Sequence, residues 1–449
     1  MFTVNTDNQF KRVLSLKQLT IYGMVMMAPL APFQVYGLVA KTSFNMVALV
    51  YLIGAVLMFF TAMSYAQMSK AFPYAGSVYN YVQKGLNPHI GFVSGWILLS
   101  DYILAPALVC VFAGMWMSSL VPAIPPLVWA FIFIIINTFI NIIGIEMNAK
   151  VNQWLFWLQI ASLIAFVLLA VKFVFIDGHG AGGFSLTPLF QPEHVDFRFA
   201  AAAVSIIVLG FIGFDGISTL AEEAKDPEKN VGKATVLSLV ITAILFLLQS
   251  YMAGLVHPNA QNLDEGMALF DIVREVGGYS LYVALIIINV LAVGIAVTLN
   301  VQSAVSRIIF AMGRDNFLPG SAFLGRLHPK FKTPVYATLL SALVSALVAA
   351  FVPLNSIVML VNFGAITSFS ILNFTVFIYF YIKQKQRDLK STIFYLLFPI
   401  IGCCVCLYVW TGFEKLTYIV GFSWLLIGVV IGFVKSKGYR IAGPNLEDI

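Results

Sequence analysis

Twelve runs of about twenty mostly apolar residues dominate this chain of 449 residues. A helix that crosses a bilayer needs about 20 such residues. The runs lie at 17–40, 45–68, 90–119, 127–145, 151–176, 199–221, 233–256, 279–306, 334–352, 356–382, 392–411 and 416–434. Composition agrees: 60 % of the residues are hydrophobic and 10 % are charged, against about 45–50 % and about 25 % in a soluble domain. So few charges cannot cover a water-facing surface. That excludes a soluble enzyme, a nucleic-acid binder and a disordered protein. The chain reads as an all-α membrane protein with twelve transmembrane helices. Its net charge of +6 then reports basic residues gathered on one side of a bilayer, with no nucleic acid as partner.

Sorting the basic residues tests the span count. With a cytoplasmic N-terminus, 21 of the 26 lysines and arginines fall on the cytoplasmic side. Only Lys41, Lys172, Arg198, Arg274 and Lys415 stay outside. One missed span would invert every later loop and spoil this sorting, so both termini are expected in the cytoplasm. Segment 1–16 is polar and has no apolar stretch of a cleavable leader, so the first span is expected to direct insertion. The outer loop 177–198 separates spans 5 and 6. A second outer loop, 257–278, carries Ala268, Phe270, Ile272 and Val273 in an amphipathic pattern and is expected to cap the outer face. Segment 435–449 is a cytoplasmic tail. Cys110, Cys403, Cys404 and Cys406 lie in apolar runs without a histidine nearby, which reads as packing rather than a metal site.

Two spans contain helix breakers. Span 1 holds Met27, Ala28, Pro29, Leu30, Ala31 and Pro32, whose two prolines remove two amide donors. Span 6 holds Gly210, Phe211, Ile212, Gly213, Phe214, Asp215 and Gly216, whose glycines let a ligand approach the backbone. Lipid cannot satisfy a freed backbone group, so an unwound stretch faces protein or a water-filled cavity. Either break alone reads as a simple kink. At matched places in spans 1–5 and 6–10, they point to a transport site between two inverted repeats, 17–176 and 199–382, with 392–434 appended.

Two acids sit deep in apolar runs: Asp101 in span 3 and Asp215 in the span 6 break. No lysine, arginine or histidine falls at comparable depth in the runs. An aspartate at the centre of a membrane helix costs about 2.5–3.5 kcal/mol on insertion scales. For Asp101 the alternatives are a hydrogen-bonded structural carboxylate and a functional one. For Asp215 they are a cap of the second half-helix and a functional carboxylate. The functional alternative balances a cationic substrate or carries a proton. Trp96, Tyr102, Phe211 and Phe214 flank the two acids, either as plain packing or as faces for an organic ammonium group.

These residues resemble a family. The run from Phe72 through Pro73 and Gly76 to Tyr81 is similar to that of the amino acid–polyamine–organocation transporters, as is the run from Asn87 and Pro88 to Trp96. So are Gly213-Phe214-Asp215-Gly216 leading to Glu222-Glu223 and Asp226-Pro227, and Ser306-Arg307 leading to Met312 through Pro319. Within the family the chain most resembles bacterial putrescine importers, through Gly95 to Tyr102, Gly213 to Glu223, and Asn362 to Ala365. The resemblance implies a five-plus-five inverted repeat with two extra helices. It implies a substrate site at the breaks of spans 1 and 6, walled by spans 3, 8 and 10, and no cofactor. Amino-acid permeases of the family carry a glycine-serine-glycine run in the span 1 break, whose amides hold the substrate carboxylate. Here Ala28 to Pro32 stands in its place, which favours a polyamine. Gln34 departs from the acid that the putrescine importers lead one to expect.

The expected substrate site comprises Met27, Ala28, Pro29, Ala31, Asp101, Tyr102, Phe211, Gly213, Phe214 and Asp215. Glu222, Glu223 and Ser303 are candidates for coupling or gating. Glu222 and Glu223 with Lys225, Lys229 and Lys233 otherwise read as a solvated charge network or inner gate. Thr298, Ser303 and Ser306 are candidate sodium ligands or interhelical glue. The expected activity is uptake of a small organic cation across a bacterial cytoplasmic membrane, with a proton preferred over sodium as coupling ion. The alternative is an amino-acid permease or amino acid/amine exchanger. A membrane enzyme would need a catalytic cluster, and a sensor a signalling tail; the sequence shows neither.

Overall fold

The computed structural model describes residues 12–74, 77–194, 197–259, 263, 266–314, 318, 320–413 and 415–436. Most of the expected N-terminal segment, and the tail from 437 onward, lie outside the described residues. Among the described residues the chain is helical throughout, with one isolated parallel bridge between Leu14 and Ala224. The first half comprises α1 (Leu16–Met27), α2 (Pro32–Thr42), α3 (Val47–Ala71), α4 (Ser77–Gly85), α5 (Pro88–Leu120), α6 (Pro126–Ile143) and α7 (Ile145–Val171). There follow α8 (Phe197–Phe211), a 3₁₀ helix (Phe214–Glu223), α9 (Pro227–Val256), α10 (Ala268–Leu291) and α11 (Thr298–Arg314). The chain closes with α12 (Ser321–Leu324), α13 (Val335–Phe351), α14 (Leu354–Val376), α15 (Leu389–Thr392), α16 (Phe398–Trp410) and α17 (Lys415–Lys435).

Ten helical stretches among the described residues are long and apolar enough to cross a membrane, and the pair α1–α2, bent by 51°, makes an eleventh. The run 334–352 coincides with the apolar α13, which is 17 residues long and falls below that length. Local chemistry sets the boundaries. Ser15 and Gln18 form a reciprocal cap at the start of α1. Asn87 caps α5 by accepting the amides of His89 and Ile90, with Pro88 at the first helical position. The stretch Ala268–Arg314 is continuous by length alone, but it bends at Gly278, where φ is 70°. Before the bend lies the expected amphipathic arm. Its Ala268, Phe270, Ile272 and Val273 are all buried, and the Phe270 ring packs 4.8 Å from Phe33 and 5.6 Å from Trp116.

Polar side chains tie the apolar helices together. Asn137 of α6 donates to the Gly294 carbonyl (2.7 Å) inside a wide π turn, Ala292–Val297, that joins α10 to α11. Asn141 donates to the Leu299 carbonyl and to Gln302 Oε1, both at 3.0 Å, and Gln302 donates to Thr138 at 2.8 Å. Thr298 donates to the Val293 carbonyl and Ser306 to the Gln302 carbonyl, so both hydroxyls bond backbone of their own span. Such bonds hold helices where lipid gives them no hydrophobic reason to associate.

Trp96 departs from its expected place beside Asp101. It lies five residues earlier on α5, about 140° around the helix, and so faces away. Its ring stacks on Trp424 of α17 at 4.7 Å. Each indole donates to the other's carbonyl, at 2.9 and 3.0 Å. This clasp seats the last helix on α5. Trp424→Phe or Trp96→Phe should each lower stability by about 0.5–1.5 kcal/mol, because one part-buried indole-to-carbonyl hydrogen bond is lost. Each bond ends on a backbone carbonyl that the other substitution leaves in place, so in a thermal-shift double-mutant cycle the two losses should add to within about 0.5 kcal/mol. A double variant no less stable than the weaker single would contradict the two separate bonds.

Candidate functional site

The two breaks meet. α1 stops at Met27, Ala28 takes φ 51° and ψ 105°, and α2 restarts at Pro32. A non-glycine residue at positive φ is strained, and the surroundings hold it. Gln249 of α9 donates to the Pro29 carbonyl (2.8 Å) and to the Leu245 carbonyl (3.1 Å), answering an acceptor that the break sets free. Pro29 and Pro32 carry no N–H. The amides of Ala28 and Ala31 donate to the Val25 and Ala28 carbonyls (3.1 and 2.8 Å). Those four positions therefore offer no amide to a ligand carboxylate.

Span 6 breaks between Phe211, the end of α8, and Phe214, the start of the 3₁₀ helix. Gly213 has φ 123°, which L side chains rarely adopt, and a Cβ there would stand 2.8 Å from the Met26 carbonyl carbon. Only glycine lets the two breaks touch. Asp215 follows, fully buried. It accepts the Gly213 amide at 3.2 Å and the hydroxyl of Tyr102. It does not act as the N-cap of the second half-helix; Gly213 takes that position, without a side-chain bond.

Tyr102 comes from α5 and places its neighbour Asp101 beside this junction. Asp101 is 0 % exposed, and neither of its carboxylate oxygens has a hydrogen-bond partner among the described residues. α14 presses on it from the other side: a Cβ on Gly364 would lie 2.9 Å from the Asp101 amide nitrogen. Phe214 packs 5.7 Å from Tyr65 and 5.4 Å from Phe369, so one aromatic wall adjoins Asp215. Tyr65, Phe369, Gln249 and Gly364 were not in the expected set. Tyr65, Phe369 and Gln249 stand in ordinary apolar helices that carry no signal of a site, whereas Gly364 lies in the run Asn362 to Ala365 that carries the family resemblance. Phe211 packs into a separate aromatic group with Tyr51 (6.1 Å) and Phe246 (5.3 Å). Met27, Ala28 and Ala31 are buried around the break.

The gating candidates resolve differently from the expected lysine network. In a 3₁₀ helix residues three apart align, so Glu223 follows Phe214, Ile217 and Leu220 into the interior. There it meets Arg307 of α11, only 6 % exposed. Arg307 donates to Glu223 Oε1 from Nε (2.9 Å) and Nη2 (2.7 Å). It also donates to the Ser303 carbonyl (3.1 Å) and the Ser303 hydroxyl. Lys225, Lys229 and Lys233 are exposed, and Glu222 is half-buried. Arg307 is therefore an enclosed base, though eight residues of 3₁₀ helix, about 16 Å, separate Glu223 from Asp215. The N-terminal segment lies against this pair: Val13 and Leu14 donate their amides to the Glu223 carbonyl (2.9 and 3.0 Å), and Lys225 donates to the Leu14 carbonyl (2.8 Å).

The model of the amino acid permease family matches residues 33–436. The chain is 31 % identical to the low-affinity putrescine importer PlaP of Escherichia coli K12, over 100 % of this chain and 99 % of that protein. It is 30 % identical to the branched-chain amino acid permease BcaP of Bacillus subtilis, over 96 % and 94 %. It is 26 % identical to the methylthioribose transporter of the same organism, over 96 % and 94 %.

The buried ion pair makes its own prediction. Removing one partner leaves an uncompensated buried charge, so Glu223→Met or Arg307→Met should each cost about 3–5 kcal/mol. The double variant should recover most of the lost melting temperature. A double variant less stable than both singles would contradict the enclosed pair.

Proposed function

The chain belongs to the amino acid permease family, and on that premise we propose that this membrane transporter imports putrescine or a related polyamine together with a proton. The observation that carries the reading is the pair Asp101 and Asp215 where the two breaks meet. Both are fully buried, and the enclosed base Arg307 is engaged by Glu223. A cationic cargo supplies the missing positive charge. Asp215, oriented by Tyr102 and the Gly213 amide, takes a substrate ammonium group. Asp101, which has no donor among the described residues, takes the coupled proton. Phe214 offers an aromatic face to the alkylammonium. Met27, Ala28, Pro29, Ala31, Tyr102 and Gly213 surround the two carboxylates, and Phe211 supports them through Tyr51 and Phe246.

The proposed architecture has twelve spans, with α13 as the ninth, arranged as repeats 17–176 and 199–382 followed by 392–434. Both termini face the cytoplasm of a bacterial cell, as the basic residues favour. Glu223, Arg307 and Ser303, with Glu222 beside them and residues 13–14 laid across, form the inner gate. Alternating access is the rocking of one helix group against the other about the fixed site.

A second reading, amino-acid permease or exchanger, draws on the 30 % identity to BcaP. Uptake of radiolabelled putrescine into vesicles, competed with ornithine, arginine and leucine, separates the two. We expect competition by diamines and none by leucine, with uptake raised by an inward proton gradient. Asp215→Asn should abolish saturable uptake. Asp101→Asn should leave residual uptake that no longer responds to the gradient. Uptake of leucine that putrescine leaves unchanged would overturn the polyamine reading.

A further inference from the structure

α3 and α9 run antiparallel and pack closely at Gly232 and Ala66, yet toward the end that carries Lys70 they leave a cavity of about 810 Å³. The segment that leads from α15 into α16 forms its third wall. Lys70, Lys229, Lys233 and Lys390 ring this cavity, with Glu228 the one acid among its lining residues. Among the described residues, none of these four ammonium groups is paired with a carboxylate. Val236, Leu237 and Phe394 add apolar side chains to the lining.

The same two helices carry a second hollow of about 260 Å³, lined wholly by apolar side chains. Leu52, Val56 and Phe59 come from α3, and Val240, Ile244 and Leu247 from α9. On each helix the lining residues of both hollows recur every three or four positions, so they share one face. The face changes from basic to apolar along its length. From Lys70 to Phe59 is eleven residues, about 16 Å of helix, which is about half the thickness of a bilayer's hydrocarbon core. The lysines therefore stand at headgroup level when the apolar trough lies at the level of the chains.

We propose that this trough is a binding site for an anionic phospholipid, its phosphate among the four lysines and one acyl chain along α3 and α9. A neutral lipid would leave the unpaired ammonium groups unanswered. A soluble phosphate compound would leave the trough unfilled. Basic pockets between spanning helices favour acidic headgroups on these grounds. The bound lipid joins α3, α9 and the entry to α16, and none of the residues lining the two hollows belongs to the candidate substrate site. The proposal stands apart from the choice of transport substrate.

The test is native mass spectrometry of the full chain in detergent, titrated with phosphatidylglycerol, phosphatidylcholine or glycerol 3-phosphate. The wild type should retain phosphatidylglycerol about tenfold more tightly than phosphatidylcholine. Lys70→Gln/Lys233→Gln/Lys390→Gln should remove that preference. Ala243→Trp, which fills the trough with every lysine in place, should weaken phosphatidylglycerol as well. Equal retention of both lipids by the wild type overturns the proposal. So does an unchanged preference in the triple variant, or wild-type lipid binding by Ala243→Trp. Glycerol 3-phosphate held as tightly as phosphatidylglycerol overturns it in favour of a soluble ligand. The wild-type comparisons decide the matter even if a variant fails to fold.

Discussion

A bilayer core supplies no hydrogen bonds, so each backbone group freed by a break in a helix must find its partner inside the protein. The junction of the two broken spans depends on this constraint. The break after α1 leaves the Pro29 carbonyl outside both half-helices, and Gln249 answers it. Gly213 frees the start of the 3₁₀ helix, and the Asp215 side chain answers its amide. The absence of a Cβ at Gly213 lets the second break lie against the first. What remains in the middle is a small polar junction enclosed by aromatic and apolar side chains.

Charge is handled in two contrasting ways. Glu223 and Arg307 satisfy each other, and Ser303 takes further donors of the guanidinium. Such a pair is self-contained, and its opening and closing can be coupled to movement of α11 against the 3₁₀ helix. Asp215 has donors but no cation beside it, and Asp101 has neither among the described residues. In our proposal this imbalance is the recognition device. The ammonium group and the proton that the transporter carries supply the positive charge that neither carboxylate has beside it among the described residues.

Much of the helix pattern is legible because bilayer thickness forces apolar runs to a fixed length, and the matched places of the proline and glycine clusters in spans 1 and 6 set those breaks apart from a simple kink such as Pro106 in α5 would give. The aspartates stood out for the same reason: a charge inside an apolar run is rare and costly. Other features escaped. Trp96 lies close to Asp101 in sequence, but helical rotation carries it to Trp424. Glu223 and Ser303 are gating candidates by sequence, but linear order hides the three-residue repeat that turns Glu223 toward Arg307, which links the two. Gln249 reaches the site from a distant span, through a contact that only the packing of α9 creates. Identities of 31 % to a putrescine importer and 30 % to a branched-chain amino acid permease place the chain in its family and leave the cargo to the chemistry of the junction.

The central claim is that positive charge on the cargo, held at Asp215, is what this site recognises. Equilibrium binding to the purified protein by titration calorimetry tests it with two ligands of nearly the same shape, putrescine and the uncharged 1,4-butanediol. The account predicts saturable binding of putrescine that is lost in Asp215→Asn, and no measurable binding of the diol. Equal binding of the two ligands, or putrescine binding that survives in Asp215→Asn, would contradict it.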